Sequence, residues 1–246
     1  MTEDSTASPA PAYASDPARV GAFGRFVAAN INGAGLTSPS ILEIGCGDGT
    51  LLQCLKEMVP GCRCTGVDCS PSNIELARVR LQASEGPPAT LIAGDYCQIP
   101  FRKHDVVVSH EVLQLLTIGD ERLYAKLARE IPDRGLLAIT LPYVCWRNRV
   151  LMMARRCLAL VRCRLVEKAV LQVAVLVHGR SQSRAFLADR VRYTFEVSRR
   201  FYSQRVRVEL RVKWNLELVA ERSSPKIFGK PTEKQLCFRK GGDVGV

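Results

Sequence analysis

The run Ile41-Leu-Glu-Ile-Gly-Cys-Gly-Asp-Gly-Thr50 constrains the fold more than any other part of the chain: strand-forming residues end in three glycines at alternate positions, and a helical pattern follows. Glycine tolerates positive φ and lets a ligand come within contact distance of main-chain N–H groups, so the run predicts a tight strand-to-helix turn able to hold something. The spacing Gly45-x-Gly47-x-Gly49 is not the G-x-G-x-x-G of dinucleotide sites, and Glu43 stands two residues before the first glycine. A carboxylate at the mouth of the loop repels phosphate and suits a cationic ligand.

Around this run strand and helix patterns alternate on a short period. A helix from Pro17, with Val20, Phe23, Phe26 and Val27 at helical spacing and Asp16 as N-cap, ends near Gly33 to Gly35. Strands follow at 40–44, 63–68, 90–93, 105–109 and 135–141, with helices at 50–58, 72–81 and 120–130. Repeated strand–helix units predict an α/β fold, a doubly wound, mostly parallel sheet covered on both faces. A helix near 203 and strands near 216–220 and 235–238 would complete the sheet. The Ala-, Pro-, Ser- and Thr-rich stretch 1–16 reads as a disordered arm. The expected division is therefore an arm (1–16), a core (17–142), a basic insert (143–202) and closing elements (203–246).

The insert stands out by charge. Residues 143–213 hold 17 Lys or Arg against 4 Asp or Glu, in a chain of net charge +11. Within it, Leu151, Ala154, Leu158, Val161 and Leu165 form an apolar stripe flanked by Arg155, Arg156, Arg162 and Arg164, which predicts one basic amphipathic helix over 148–166. The apolar stretch Ala169 to Val177 is far short of the roughly 20 residues of a membrane span. At 246 residues, 47% of them hydrophobic, with 18 glycines and 13 prolines, the composition excludes disordered and collagen-like chains and favours one large domain. The ten cysteines lack zinc-type pairs, since Cys62 and Cys64 are only one residue apart, and read as free thiols. No basic n-region followed by an apolar h-region opens the chain, which suggests a cytoplasmic protein, with peripheral contact to a membrane left open.

The glycine run resembles the first motif, E/D-x-G-x-G-x-G, of the class I, Rossmann-like S-adenosylmethionine-dependent methyltransferases of small-molecule type. Three further segments resemble that family in order: Gly66-Val-Asp-Cys-Ser70, Gly94-Asp-Tyr96, and Asp105-Val-Val-Val-Ser-His-Glu-Val-Leu113. The resemblance covers roughly 37–142 and implies a seven-stranded sheet with S-adenosyl-L-methionine as cofactor. It implies that Glu43, Gly45, Cys46, Gly47 and Gly49 form the cofactor loop. It makes Asp68 the acceptor for both ribose hydroxyls, with Cys69 beside it, and gives Asp95 the adenine amine and Tyr96 the ring. Ser109 would line the methionine pocket.

In that family the protein mainly aligns nucleophile and methyl, and a base is required only if the acceptor starts protonated. His110 and Glu111 are the candidate catalytic residues, with His178 and Tyr143 behind them. Gln114 and Leu115 stand where some quinone-ring O-methyltransferases carry an acid and a histidine around a metal, so no catalytic metal is expected. The insert has the position and size of a lid, with aromatic walls from Tyr143, Trp146, Phe186, Tyr193, Phe195, Phe201 and Tyr202. Its arginines suggest a small or lipid-like, anionic acceptor, with O-methylation slightly favoured, and allow a contact with an anionic membrane. The alternatives are an RNA methyltransferase, disfavoured because no RNA-binding module is recognisable, and a module that binds the cofactor without turnover.

Overall fold

A computed structural model describes residues 17–161, 163–178, 200–223 and 233–242. Helix α1 (Pro17–Gly33) leads into β1 (Ser40–Ile44), α2 (Thr50–Met58), β2 (Arg63–Asp68), α3 (Pro71–Gln82), β3 (Thr90–Ala93) and β4 (Val106–Ser109). Then come α4 (Asp120–Glu130), β5 (Leu136–Pro142), α5 (Trp146–Leu160), α6 (Arg164–His178), α7 (Gln204–Trp214), β6 (Leu216–Ser223) and β7 (Glu233–Lys240). The seven strands lie in the order β3-β2-β1-β4-β5-β7-β6. The first five pair in parallel, and β7 runs antiparallel between β5 and β6.

Alternation along the strands divides the core between two faces. Ile41, Val106, Val108, Leu136 and Ala138 pack with α1, α2 and α3, whereas Leu42, Ile44, Val107, Leu137 and Ile139 pack with α4 and α7. Both sets are buried, which is why these strands read as continuous apolar runs rather than as an in–out pattern. Chain order reverses between β1 and β4, and in open α/β sheets the crevice at such a switch is where ligands bind.

The insert differs from expectation. Instead of one helix over 148–166, α5 ends at Leu160 and α6 restarts at Arg164, where Glu167 N–H donates to Cys163 C=O at 2.9 Å. Neither Gly nor Pro marks the break, and Val161 and Leu165 keep the three-four spacing across it, so periodicity alone runs through. Both of those residues are exposed, at 58% and 77%. Of α5, Asn148 and Met152 turn inward, and Asn148 Nδ2 donates to the Tyr143 carbonyl at 2.8 Å. The 1–16 arm, the N-cap Asp16, Arg162, Phe186, Tyr193 and Phe195 lie outside the described residues.

Arg200, at the far end of the insert, is 3% exposed and clamps the chain after β4. Its guanidinium donates at 2.8 Å to the carbonyls of Leu113 and Leu116, also donates to that of Ile118, and pairs with Asp120 at 2.8 Å. Arg200→Leu strands three carbonyls behind a buried apolar group, and we expect a loss of about 2–4 kcal/mol, read as a lower urea midpoint.

Candidate functional site

The glycine turn is sewn to the end of β2. The N–H groups of Gly45 and Cys46 both donate to the Val67 carbonyl, at 2.8 and 3.1 Å, and Gly47 N–H donates to Asp68 Oδ2 at 2.9 Å. Gly45, Gly47 and Gly49 all have left-handed φ, at 73°, 53° and 77°. A Cβ on Gly45 would stand 2.4 Å from Val112 Cγ2, so this position excludes other residues on two counts. Gly49 turns away to pack on α3, where a Cβ would meet Ala77 Cα at 3.1 Å.

Above the turn a cavity of about 690 Å³ opens at the carboxyl ends of β1, β2 and β4, within the range of small-molecule sites. Glu43, Gly45, Cys46, Gly47, Asp68, Cys69, Asp95, Tyr96, His110 and Glu111 border it. Two expected cofactor residues do not. Gly49 serves the helix packing just described, and Ser109 is fully buried with its hydroxyl donating to the Ile44 carbonyl at 3.1 Å, tying β4 to β1.

Asp68 accepts from Gly47 N–H, from Ser70 N–H at 2.9 Å and from Asn73 Nδ2 at 3.2 Å. A carboxylate has about four lone-pair sites, so capacity to accept from a ligand hydroxyl remains. Asp95 is exposed and caps its own turn through Cys97 N–H at 2.8 Å. Tyr96 is 3% exposed and anchored from below, its hydroxyl donating to Glu130 at 2.7 Å and Lys126 Nζ lying 4.6 Å from its ring centroid. Burial, with Glu43 and Asp68 nearby, pushes the Cys46 thiol up, which makes it an inert filler rather than a nucleophile.

Glu43 is 2% exposed, and burial together with the charges of Asp48 and Asp68 raises its carboxyl well above the usual range. Its Oε2 has no hydrogen-bond partner, and neither do the buried Oδ1 of Asn73 and Oε1 of Gln114, all on residues bordering the cavity. Buried acceptors without donors are costly, so this wall fits a ligand that donates hydrogen bonds and carries positive charge.

The opposite end of the cavity is built by residues from far apart in the chain. His110 stacks on Phe23 of α1, with centroids 4.9 Å apart and planes at 17°, and its Nδ1 lies 3.3 Å from Thr140 Oγ1. Glu111 adopts a left-handed φ of 59°, held by its N–H donating to Thr140 Oγ1 at 2.6 Å. Arg19 of α1 pairs with both Glu111 and Glu233. Arg155 of α5 also borders the cavity. Tyr143 is half-buried with Lys234 Nζ 5.6 Å from its ring centroid, and the His178 side chain lies outside those described. The sequence singles out Arg155 only as a cation flanking the apolar stripe of the insert, and it does not single out Arg19, Asn73 or Glu233. Asn73 is within reach of such reading, five residues after Asp68, but Arg19 and Glu233 carry no local motif.

Comparison with known proteins agrees with this geometry. Residues 41–135 match the model of a family described as a methyltransferase domain. A malonyl-[acyl-carrier protein] O-methyltransferase of Anoxybacillus flavithermus is 35% identical over 99 residues, covering 40% of this chain and 37% of that protein. A trans-aconitate 2-methyltransferase of Paracidovorax citrulli is 32% identical over 102 residues, covering 42% and 38%. The chain thus spans under two fifths of the length of these relatives. Among solved structures, the plantazolicin methyltransferase BpumL, in complex with a triazolic desmethylPZN analog and S-adenosylhomocysteine, superposes with TM-score 0.60 at 15% identity over 93% of this chain and 86% of that one. Magnesium protoporphyrin IX methyltransferase from Synechocystis PCC 6803, with bound S-adenosylhomocysteine, superposes with TM-score 0.57 at 16% identity over 91% and 84%. At such identities the likeness is one of fold. Residues 41–135 thus resemble a methyltransferase domain, set in a fold shared with methyltransferases that bind S-adenosylhomocysteine.

Gly45→Ala is expected to weaken S-adenosylhomocysteine binding at least about tenfold in calorimetry, and Asp68→Ala likewise, since each disturbs charge-assisted or close backbone contacts. Gly86→Ala, at φ 82° but with nothing within 4 Å of its added Cβ, strains the backbone away from the cavity and should leave affinity unchanged.

Proposed function

We propose that this chain catalyses S-adenosylmethionine-dependent methyl transfer to a small or lipid-like, anionic acceptor, with oxygen favoured as the acceptor atom. The observation that carries the reading is the wall of buried acceptor oxygens, Glu43 above all, at the β1–β4 switch of a methyltransferase domain. S-adenosylmethionine supplies an electrophilic methyl on a cationic sulfur that is already a good leaving group. Glu43 and the glycine turn would hold its cationic end, and Asp68 with Asn73 would accept from its ribose. Asp95 and Tyr96 would meet its adenine. The acceptor would occupy the end bordered by His110, Glu111 and Arg155. The names of the relatives above, which act on acyl-carrier-bound and small organic acids, support a small acidic acceptor.

The direct test is transfer of label from methyl-labelled S-adenosylmethionine into a cell extract, partitioned into organic, aqueous, protein and RNA fractions, with Gly47→Arg as blank. Label in the organic fraction above the blank is the expected result. Label in RNA overturns the acceptor class, and S-adenosylhomocysteine binding without any label identifies a binding module.

The outer face of the insert favours access from an anionic lipid surface. Trp146, Val150, Met153 and Leu160 follow one another along one side of α5, exposed at 73%, 57%, 65% and 87%. Arg149, Arg156, Arg164 and Lys168 are exposed around them, and no described helix is long and apolar enough to cross a membrane. Apolar side chains that insert and cations that meet headgroups define an interfacial helix. Arg149→Glu/Arg156→Glu/Lys168→Glu should lower co-sedimentation with phosphatidylserine-containing vesicles at least about tenfold, at about 1 kcal/mol per basic residue. Equal sedimentation with neutral vesicles would remove the membrane from this reading.

A further inference from the structure

Three ionisable side chains at the acceptor end are more than a wall. Glu111 leaves β4, Glu233 opens β7 and Arg19 opens the first turns of α1, and the guanidinium of Arg19 touches both carboxylates. Their side chains are only 15–19% exposed, and all three border the cavity. His110 faces the group, with Nε2 4.0 Å from Glu111 Oε1. Arg155 of α5 borders the same cavity, whereas Lys234, next along β7, pairs at 3.0 Å with Glu221 of β6. Two acids therefore share one nearby cation in a half-closed site. Burial and the charge of Glu111 push the Glu233 carboxyl up, outweighing the opposite pull of Arg19. Two carboxylates this close do not both ionise readily, so the proton leaves such a pair at a higher pH than it leaves an isolated carboxyl.

Resting on the methyltransferase reading above, we propose that Glu111 and Glu233 are a proton-accepting pair, steadied by Arg19, and that the acceptor atom is a hydroxyl oxygen rather than a carboxylate. A carboxylate acceptor arrives ionised and has no use for a base. A hydroxyl must lose its proton as it reacts. The O–H bond breaks with its proton passing to a carboxylate oxygen of Glu111. The oxygen forms the new bond to the methyl carbon while the carbon–sulfur bond breaks, and its electron pair returns to sulfur as a neutral thioether. Glu233 touches the reacting proton only through Glu111, and is a positioning residue: its shared proton and Arg19 fix which Glu111 oxygen stays ionised toward the cavity. The left-handed backbone at Glu111, held by Thr140, orients that carboxylate. With one proton shared, the net charge of the trio stays near zero.

The test is a pH titration of the full chain labelled with carbon-13 at the glutamate carboxyls, followed by NMR. Two signals should titrate above the ordinary carboxylate range, one from Glu43 and one from Glu233. Glu233→Gln should remove the second and leave the first, and Glu111→Gln should lower the Glu233 signal, with the part due to burial remaining. If every carboxyl except Glu43 titrates in the ordinary carboxylate range while the chain binds S-adenosylhomocysteine, the pair is wrong and the methyltransferase reading stands. If the wild-type chain binds no S-adenosylhomocysteine, the reading beneath the proposal fails as well. The product gives the second readout. Label in the organic fraction should survive mild alkali as an ether, and its formation should drop about 10²-fold or more in Glu111→Gln at little-changed S-adenosylhomocysteine affinity. Label released by alkali as methanol would mark an ester, and with it a carboxylate acceptor that overturns the proposal.

Discussion

Everything at the cavity depends on the contact between the first glycine turn and the end of β2. Gly47 N–H reaches Asp68 Oδ2 at 2.9 Å only because the chain from Gly45 to Gly49 curls through left-handed φ with no Cβ in the way. The same carboxylate receives Ser70 N–H and Asn73, so the starts of two loops become one rigid floor. Asp48 extends the linkage: it accepts from Thr50 N–H at the start of α2 and pairs with Arg80 of α3 at 2.8 Å. A side chain at Gly45 would push against Val112 and disturb both the floor and the loop after β4.

That floor was legible in the sequence because its signals are local. The glycines, the acid two residues before them and Asp68 nineteen residues after Gly49 are all short-range patterns with a single physical reading each. The strands were legible for a related reason: β4 and β5, buried throughout, show as largely apolar runs, and β1, β2, β3, β4 and β5 begin and end within a residue of the strand ranges the sequence predicts. Ser109 shows the limit of motif reading. It sits in the right segment, but its hydroxyl is spent on Ile44 and does not border the cavity.

The acceptor end was not legible, because its parts meet only in three dimensions. Arg19 and Glu233 are 214 residues apart, and nothing around either marks it as functional. The antiparallel insertion of β7 beside β5 sets Glu233 opposite Pro142, at the carboxyl edge of the parallel strands, and α1 crosses to bring Arg19 over it. Gln114 is a similar case: from the sequence it only removed a metal ligand, and in the fold it contributes a buried oxygen to the cavity wall. The break between α5 and α6 escaped notice because the apolar spacing runs on across it.

Charge shows most clearly why composition alone underdetermines function. The arginines of the insert look like a single basic patch in sequence, and the structure separates them by environment. Arg200 is buried and spends its guanidinium on Asp120 and the carbonyls after β4, so its charge is structural. Arg155 borders the cavity. Arg149, Arg156, Arg164 and Lys168 stay in solvent beside exposed apolar side chains. Among these described cations, the last group contributes most to the field outside the protein, because charges in water act over about a Debye length, whereas a buried, paired charge acts only on its neighbours. An anionic acceptor drawn in by the outer face would therefore meet, at the cavity, a site whose Arg19 is already matched by two acids. On the proposed reading, attraction and chemistry would fall to different residues of one basic chain.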